Sequence, residues 1–461
     1  MPLRHCLHPL AAILIATLLT TAWSSGLETI ELDGYRATFD PNQAFTVTEG
    51  DLDCTPFGGP ATVRVTETLG RLGEADYLIY QPEDWNGDLV LWAHAFLPTL
   101  YPAGAFPFPV PVGFGPYPAE SDSFFQTFLR PRDATVCHGF AMAASAFERH
   151  GLAVEEGMRD THLLNQIAPR HLGAEPEATY LTGYSGGGLI TIALVERFPH
   201  RYAGALTDQG TTSMSVAGYT FSHIRAVLDV YFPGLIDTPL FQGRDLTPDE
   251  FGALVAALMA RVQADPAALQ RMARVRVPGS ERLDPAGRGA PLLLTDPLAT
   301  DPAAAFESLV TSMLPSLQLT LMFVEDMHER LQGGMPFDNR HVVYTGFDLT
   351  ADEEADLNAR VPRYDADDWA VRYFTFFYEP SGELQLPLVS IRVSHNPMVP
   401  IQLGWAYDQA VARAGATDLH SVWLLERYGH NTLTAQEFAT ALLALTEWVE
   451  TGTPPTWPTA P

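Results

Sequence analysis

The chain has no lysine: all 27 of its basic residues are arginine, against 55 acidic ones, for a net charge of −28. A surface of that sign repels nucleic acid and anionic membranes, so no nucleic-acid partner is expected. The excess speaks to solubility and says nothing of chemistry. Cysteine is scarce, with three in 461 residues. No zinc-type cluster appears, and the acidic run Asp352-Glu353-Glu354 with Asp356 lacks the spacing of a calcium loop, reading instead as a solvated helix start. No phosphate-cradling glycine loop follows a first strand, and no internal repeat is found. Long apolar runs are also wanting after the N-terminus, so no integral membrane segment is expected there.

What is present begins with a leader. Arg4 supplies a positive n-region, Leu10 to Leu19 a short apolar stretch, and Ala22, Ser24 and Ser25 small residues for a peptidase. Residues 1–25 therefore read as a secretory signal peptide, and the mature chain is expected to be secreted or periplasmic. Cys6 precedes the apolar stretch, which rules it out as a lipid-attachment cysteine. The remaining pair, Cys54 and Cys137, favours a disulfide in an exported protein.

Nearly half the residues are apolar, enough for a large core and an inserted subdomain. Strands and helices alternate up to about residue 210. Asp76–Gln81, Asp88–His94, Gly139–Ser145, Thr179–Thr182 and Tyr202–Leu206 read as strands, and Val154–Ala168 and Leu189–Arg197 as helices. From Thr211 to Leu386 the pattern turns mainly helical, clearest over Leu254–Val262 and Leu309–Leu331. Strands resume at Leu388–Val393 and Ser421–Leu425, separated by a helix over Leu403–Ala414, and Ala435–Glu450 closes as an amphipathic helix. The expected organisation is an α/β core over 26–210 and 387–452, a helical cap over 211–386, and a loose Pro-rich tail over 453–461.

Gly183-Tyr184-Ser185-Gly186-Gly187 stands between an apolar strand and a helix. That context gives the common G-x-S-x-G pattern its meaning, because a serine on a sharp strand-to-helix turn needs small neighbours. Ser185 is the candidate nucleophile. The Gly186 N–H, at the helix N-terminus, is a candidate oxyanion donor. The second donor should come from the loop after Leu89–Ala93, where His94-Ala95-Phe96 stands; Phe96 N–H takes that role, with Ala95 as the fallback. His94 reads as structural. The base is His430, glycine-flanked after the last strand; His395 and His341 have no comparable context.

The acid breaks the pattern. The turn after the penultimate strand commonly reads Asp-Pro-x-Val-Pro, and here Asn396 occupies the acid's place in Asn396-Pro397-Met398-Val399-Pro400. Asparagine orients an imidazole without stabilising its cation. Asp208, at the carboxyl end of the strand after the nucleophile's, is the favoured replacement, since active-site groups gather at that edge of an open sheet. Asn396 is the alternative, and Glu426 the outsider.

Together the serine turn, Pro397-Met398-Val399-Pro400 and Gly429-His430 resemble the α/β-hydrolase superfamily, over roughly residues 70 to 452. Within it the chain is similar to secreted bacterial esterases and lipases with a large cap; Leu357–Val361 and Trp448–Gly452 resemble their cap and terminal helix. The resemblance implies a serine hydrolase that needs no cofactor and acts on small-molecule or polymeric esters. A Pro/aromatic loop from Phe96 through Tyr101, Phe106, Phe108 and Phe114 suggests an apolar or aromatic acyl group. A serine peptidase of the same fold and a non-catalytic binding protein on a hydrolase scaffold stay open as alternatives.

Overall fold

The computed structural model describes residues 26–43, 45–99, 103–106 and 124–458. The expected leader at 1–25 and most of the Pro/aromatic loop, Tyr101, Phe108 and Phe114 included, lie outside them.

A hairpin of β1 (Glu28–Leu32) and β2 (Tyr35–Phe39) precedes a nine-stranded sheet. That sheet opens with three strands joined edge to edge, β3 (Thr46–Leu52), β4 (Val63–Leu72) and β5 (Ala75–Pro82), all antiparallel. Then come β6 (Leu89–Ala93), α1 (Phe124–Val136), β7 (Ala141–Ser145), α2 (Val154–Leu172), β8 (Thr179–Tyr184), α3 (Gly186–Arg197) and β9 (Gly204–Asp208). After the cap the chain returns as β10 (Leu388–His395), α12 (Ile401–Ala414), β11 (His420–Tyr428) and α13 (Ala435–Thr451). Across the sheet the order is β11-β10-β9-β8-β6-β7-β5-β4-β3. The six strands from β11 to β7 are parallel. This is the α/β-hydrolase fold.

The central strands explain themselves. Every residue of β6 is buried, and successive side chains serve opposite faces. Leu89, Leu91 and Ala93 join the core under α2 and α3, while Val90 and Trp92 join the one under α13. The antiparallel strands β3 and β4 escaped the sequence reading. The alternation in Val63-Arg64-Val65-Thr66 was a signal for β4, and the edge position of β3 leaves it largely exposed.

Between β9 and β10 run eight helices: α4 (Met214–Tyr231), α5 (Pro248–Ala264), α6 (Pro266–Arg274), α7 (Ser280–Leu283), α8 (Pro302–Leu321), α9 (Val324–Arg330), α10 (Ala351–Arg360) and α11 (Asp368–Tyr378). The single helix expected over Leu309–Leu331 is two, interrupted at Met322 and Phe323. The acidic run at Asp352 opens α10 in a capping box of Thr350 and Glu353, as a solvated helix start should. Cys54 and Cys137 form a disulfide that ties the end of β3 to the end of α1.

A buried carboxylate fastens the cap to the core. Asp326 of α9 accepts the Leu152 N–H at 2.9 Å and pairs with Arg330 at 2.8 Å. Leu97 in turn bridges Gly151 as a one-residue antiparallel pair, with the Gly151 N–H donating to Leu97 O at 2.7 Å. A cap helix thus braces the loop that begins at Phe96.

Candidate active site

Ser185 is the hinge between β8 and α3, with φ 52° and ψ −118°. That conformation is costly for a residue with a side chain and persists only where its surroundings enforce it. They do so through the backbone: Ser185 N–H donates to Asp208 O at 3.1 Å, and its carbonyl accepts from Gly188 N–H at 3.0 Å and Thr211 N–H at 2.7 Å. The neighbouring glycines are required by space. A Cβ on Gly183 would stand 2.1 Å from Gly187 O, and one on Gly187 2.0 Å from Ala93 O. The small-neighbour rule read from the sequence is a packing rule, since the turn is pressed against the end of β6.

Gly186 opens α3, so its N–H lacks an intrahelical acceptor. The Phe96 ring packs over it, within 2.5 Å of where a Gly186 Cβ would stand. The two residues named as oxyanion donors are therefore neighbours. His94 is buried: its Nδ1 lies 2.6 Å from Ala95 O, and its ring stacks on Phe147 at 3.8 Å. Burial holds its pKa down to about 3.

His430 lies in the loop after β11 and borders the same cavity as Ser185. Gly429 before it has φ 113°, a region that side chains avoid, and its N–H donates to His395 O at 3.0 Å. Arg130 of α1 holds the loop beyond the histidine, donating to Asn431 Oδ1 at 2.8 Å and to Leu433 O. The His430 ring stacks on Tyr184 at 5.0 Å, and desolvation alone pushes its pKa down to about 3. No hydrogen bond joins Ser185 Oγ directly to the ring.

The structure departs from the favoured acid. Asp208, the last residue of β9, is buried and accepts from Gln209 Nε2 at 3.1 Å. It lies beyond ion-pair distance of His430. Its carboxyl is raised to about 6 by burial, which the Gln209 hydrogen bond and the Arg130 charge only partly offset. The reason is local: Gln209, at φ 46°, turns the chain immediately after the strand and takes up the carboxylate. The alternative, Asn396, is what meets the imidazole, with Nδ2 3.0 Å from His430 Nδ1. Glu426 is exposed on β11.

The cavity in front of Ser185 encloses about 210 Å³. Its walls are mostly apolar: Phe96 from the core loop, and Phe221, Phe241, Phe323, Met327 and Phe374 from the cap. Phe323, at the break between α8 and α9, and Met327, within α9, reach the same cavity as Ser185. Phe221, Phe241 and Phe374 carry no local motif, and only tertiary placement brings them to the cavity. Among the described residues no group of three or more His, Cys, Asp or Glu side chains is placed to hold a metal ion.

No protein-family model matches the chain, and neither does any curated protein. Solved structures do. An esterase from Aspergillus oryzae is similar at 11% identity over 92% of this chain and 88% of that one, with a TM-score of 0.46. Feruloyl esterase B from the same organism gives 11% identity, 92% and 89% coverage and 0.44. Candida Antarctica lipase A gives 13% identity, 91% and 84% coverage and 0.41.

Proposed function

We propose that the protein is an exported serine hydrolase that cleaves carboxylic esters with apolar or aromatic acyl groups through an acyl-enzyme. The observation that carries this reading is Ser185, held at a strained strand-to-helix turn and sharing one apolar cavity with His430. In this account Ser185 attacks the ester carbonyl, and the N–H groups of Gly186 and Phe96 receive the developing oxyanion. His430 moves the proton from Ser185 to the leaving alcohol, and water then releases the acid. The aromatic walls favour an acyl group that is itself apolar, and a cavity of about 210 Å³ suits one of modest size. Export is supported by the leader-like N-terminus and by the Cys54–Cys137 disulfide. Among the described residues no helix is long and apolar enough to cross a membrane.

Steady-state hydrolysis of a p-nitrophenyl ester series, with matched peptide amides as controls, tests the reading. Ester turnover that disappears in Ser185→Ala supports it, and turnover of peptides but not esters would convert the assignment to a peptidase. Asn396 favours one second reading, a binding protein on a hydrolase scaffold. Binding of apolar acids by a protein that hydrolyses none of the esters would establish that instead.

A further inference from the structure

The geometry points to a second role for Asn396, one that rests on the ester-hydrolase reading and deepens it. We infer that Asn396 is a positioning residue that holds His430 with its proton on Nε2, the tautomer that must be given up before the imidazole can take the Ser185 proton. Asn396 is buried, and its two amide ends are not interchangeable. Oδ1 accepts two backbone N–H groups of the following turn, Met398 and Val399, each at 3.0 Å. The amide is therefore fixed with Nδ2 toward His430 Nδ1, 3.0 Å away. An NH2 group only donates, so Nδ1 must present its lone pair and the ring proton sits on Nε2.

The consequence for acyl transfer follows from counting protons. When Ser185 Oγ attacks a carbonyl, its O–H bond breaks and the proton needs a lone pair on Nε2. In the locked tautomer that lone pair is absent. Supplying it requires moving the proton to Nδ1, which then faces the Asn396 NH2 donor to donor. Turning the amide round instead would set that NH2 against the Met398 and Val399 N–H groups. Neighbouring groups offer no substitute: Tyr184 meets the ring with a stacked face, and Asp208, held by Gln209, lies beyond ion-pair distance of it. A carboxylate at 396 would reverse the situation. One of its oxygens keeps the two backbone N–H groups and the other accepts from Nδ1–H.

The experiment has two arms on the full chain. The imidazole nitrogens of 15N-histidine-labelled protein are recorded above pH 7, with His430→Gln identifying the His430 signals. The expected result is a protonated Nε2 and an unprotonated Nδ1 in the unmodified chain, reversed in Asn396→Asp. On an activated aryl ester, kcat of Asn396→Asp should then rise by roughly 10²- to 10⁴-fold, the range set by the roughly 10⁴-fold loss when a triad aspartate becomes asparagine. A protonated Nδ1 in the unmodified chain overturns the inference, as does an Asn396→Asp protein that reaches the Nδ1–H form without gaining kcat. If neither protein hydrolyses any ester, the ester-hydrolase reading fails, and the nitrogen spectra still decide the tautomer.

Discussion

At the scale of single residues, the site is defined by groups held where they would not sit freely. Ser185 keeps a positive φ because three backbone hydrogen bonds and two flanking glycines leave it no other place. Gly187→Ala puts a methyl group 2.0 Å from a backbone oxygen that cannot retreat without moving β6. We expect that variant to lose more than about 3 kcal/mol of stability, read as a lowered midpoint in urea unfolding, or to fail to accumulate as folded protein. The buried histidines make a separate prediction. His94, His223, His420 and His430 have pKa values of about 3, each lowered chiefly by burial. Between pH 6.5 and about 3 the unfolded chain therefore binds protons that the native chain does not. Their stabilising contribution is full above pH 6.5 and is lost as the pH falls toward 3. Asp160 and Asp208, raised to about 6, act in the opposite sense from about pH 3.8 to 6, as do Glu67, Asp133, Asp326 and Glu379, also raised by burial. Asp33, lowered to about 2 chiefly by its hydrogen bond from Arg201, acts with the histidines. Melting temperature should fall steadily from pH 7 to pH 4. A flat or rising profile would contradict the burial of these rings as neutral groups.

The same scale shows what the sequence could reveal of the site. That Ser185 and His430 would come to one cavity was legible because glycines stand beside both, and glycine is visible in a string of letters. The partner of His430 was not. Asp208 and Asn396 both end a strand at the right edge of the sheet, and choosing between them depends on where Gln209 turns and which end of an amide faces the ring. Neither leaves a trace in local pattern.

At the scale of elements, the cap helices act on the site from outside the sheet. Phe374 lies on the buried side of α11 and closes part of the cavity wall. Phe374→Ala should shift the optimum in a series of p-nitrophenyl acyl esters toward longer or bulkier acyl groups, with a several-fold fall in kcat/KM for the shortest; an unchanged profile would remove α11 from the specificity pocket. Asp326 braces the Phe96 loop through Leu152, Gly151 and Leu97 while paired to Arg330. Asp326→Ala leaves Arg330 with one fewer buried partner and should destabilise the protein by about 3–5 kcal/mol. It should also lower kcat more than it raises KM, because the loop carries an oxyanion donor in this account. Element type was readable wherever the apolar period was strong, as in α2 and α13. The break between α8 and α9 was hidden because Met322 and Phe323 continue the apolar stripe. The β1–β2 hairpin lies over α2 and was missed as well: it is short and its exposed positions carry little pattern.

At the scale of the whole molecule, two cores on opposite faces of one sheet share the load, and the disulfide closes a long stretch of chain across the face that α1 and α13 cover. Its partners are 83 residues apart, and closing a loop of that length restrains the unfolded chain by roughly 4.5 kcal/mol. The Cys54→Ala/Cys137→Ala protein should melt several degrees lower than the parent in the absence of reductant, with kcat little changed, since the bond lies away from the cavity. The overall architecture was open to sequence reasoning because alternation followed by a helical stretch and a return to strands admits few topologies. What makes the fold an enzyme in this account is narrower, namely a nucleophilic Ser185. Intact-mass analysis after treatment with a fluorophosphonate tests that most directly. The account predicts a single adduct per chain, mapped to the peptide containing Ser185 and absent from Ser185→Ala; no adduct under prolonged treatment, or an adduct that persists in Ser185→Ala, would contradict it.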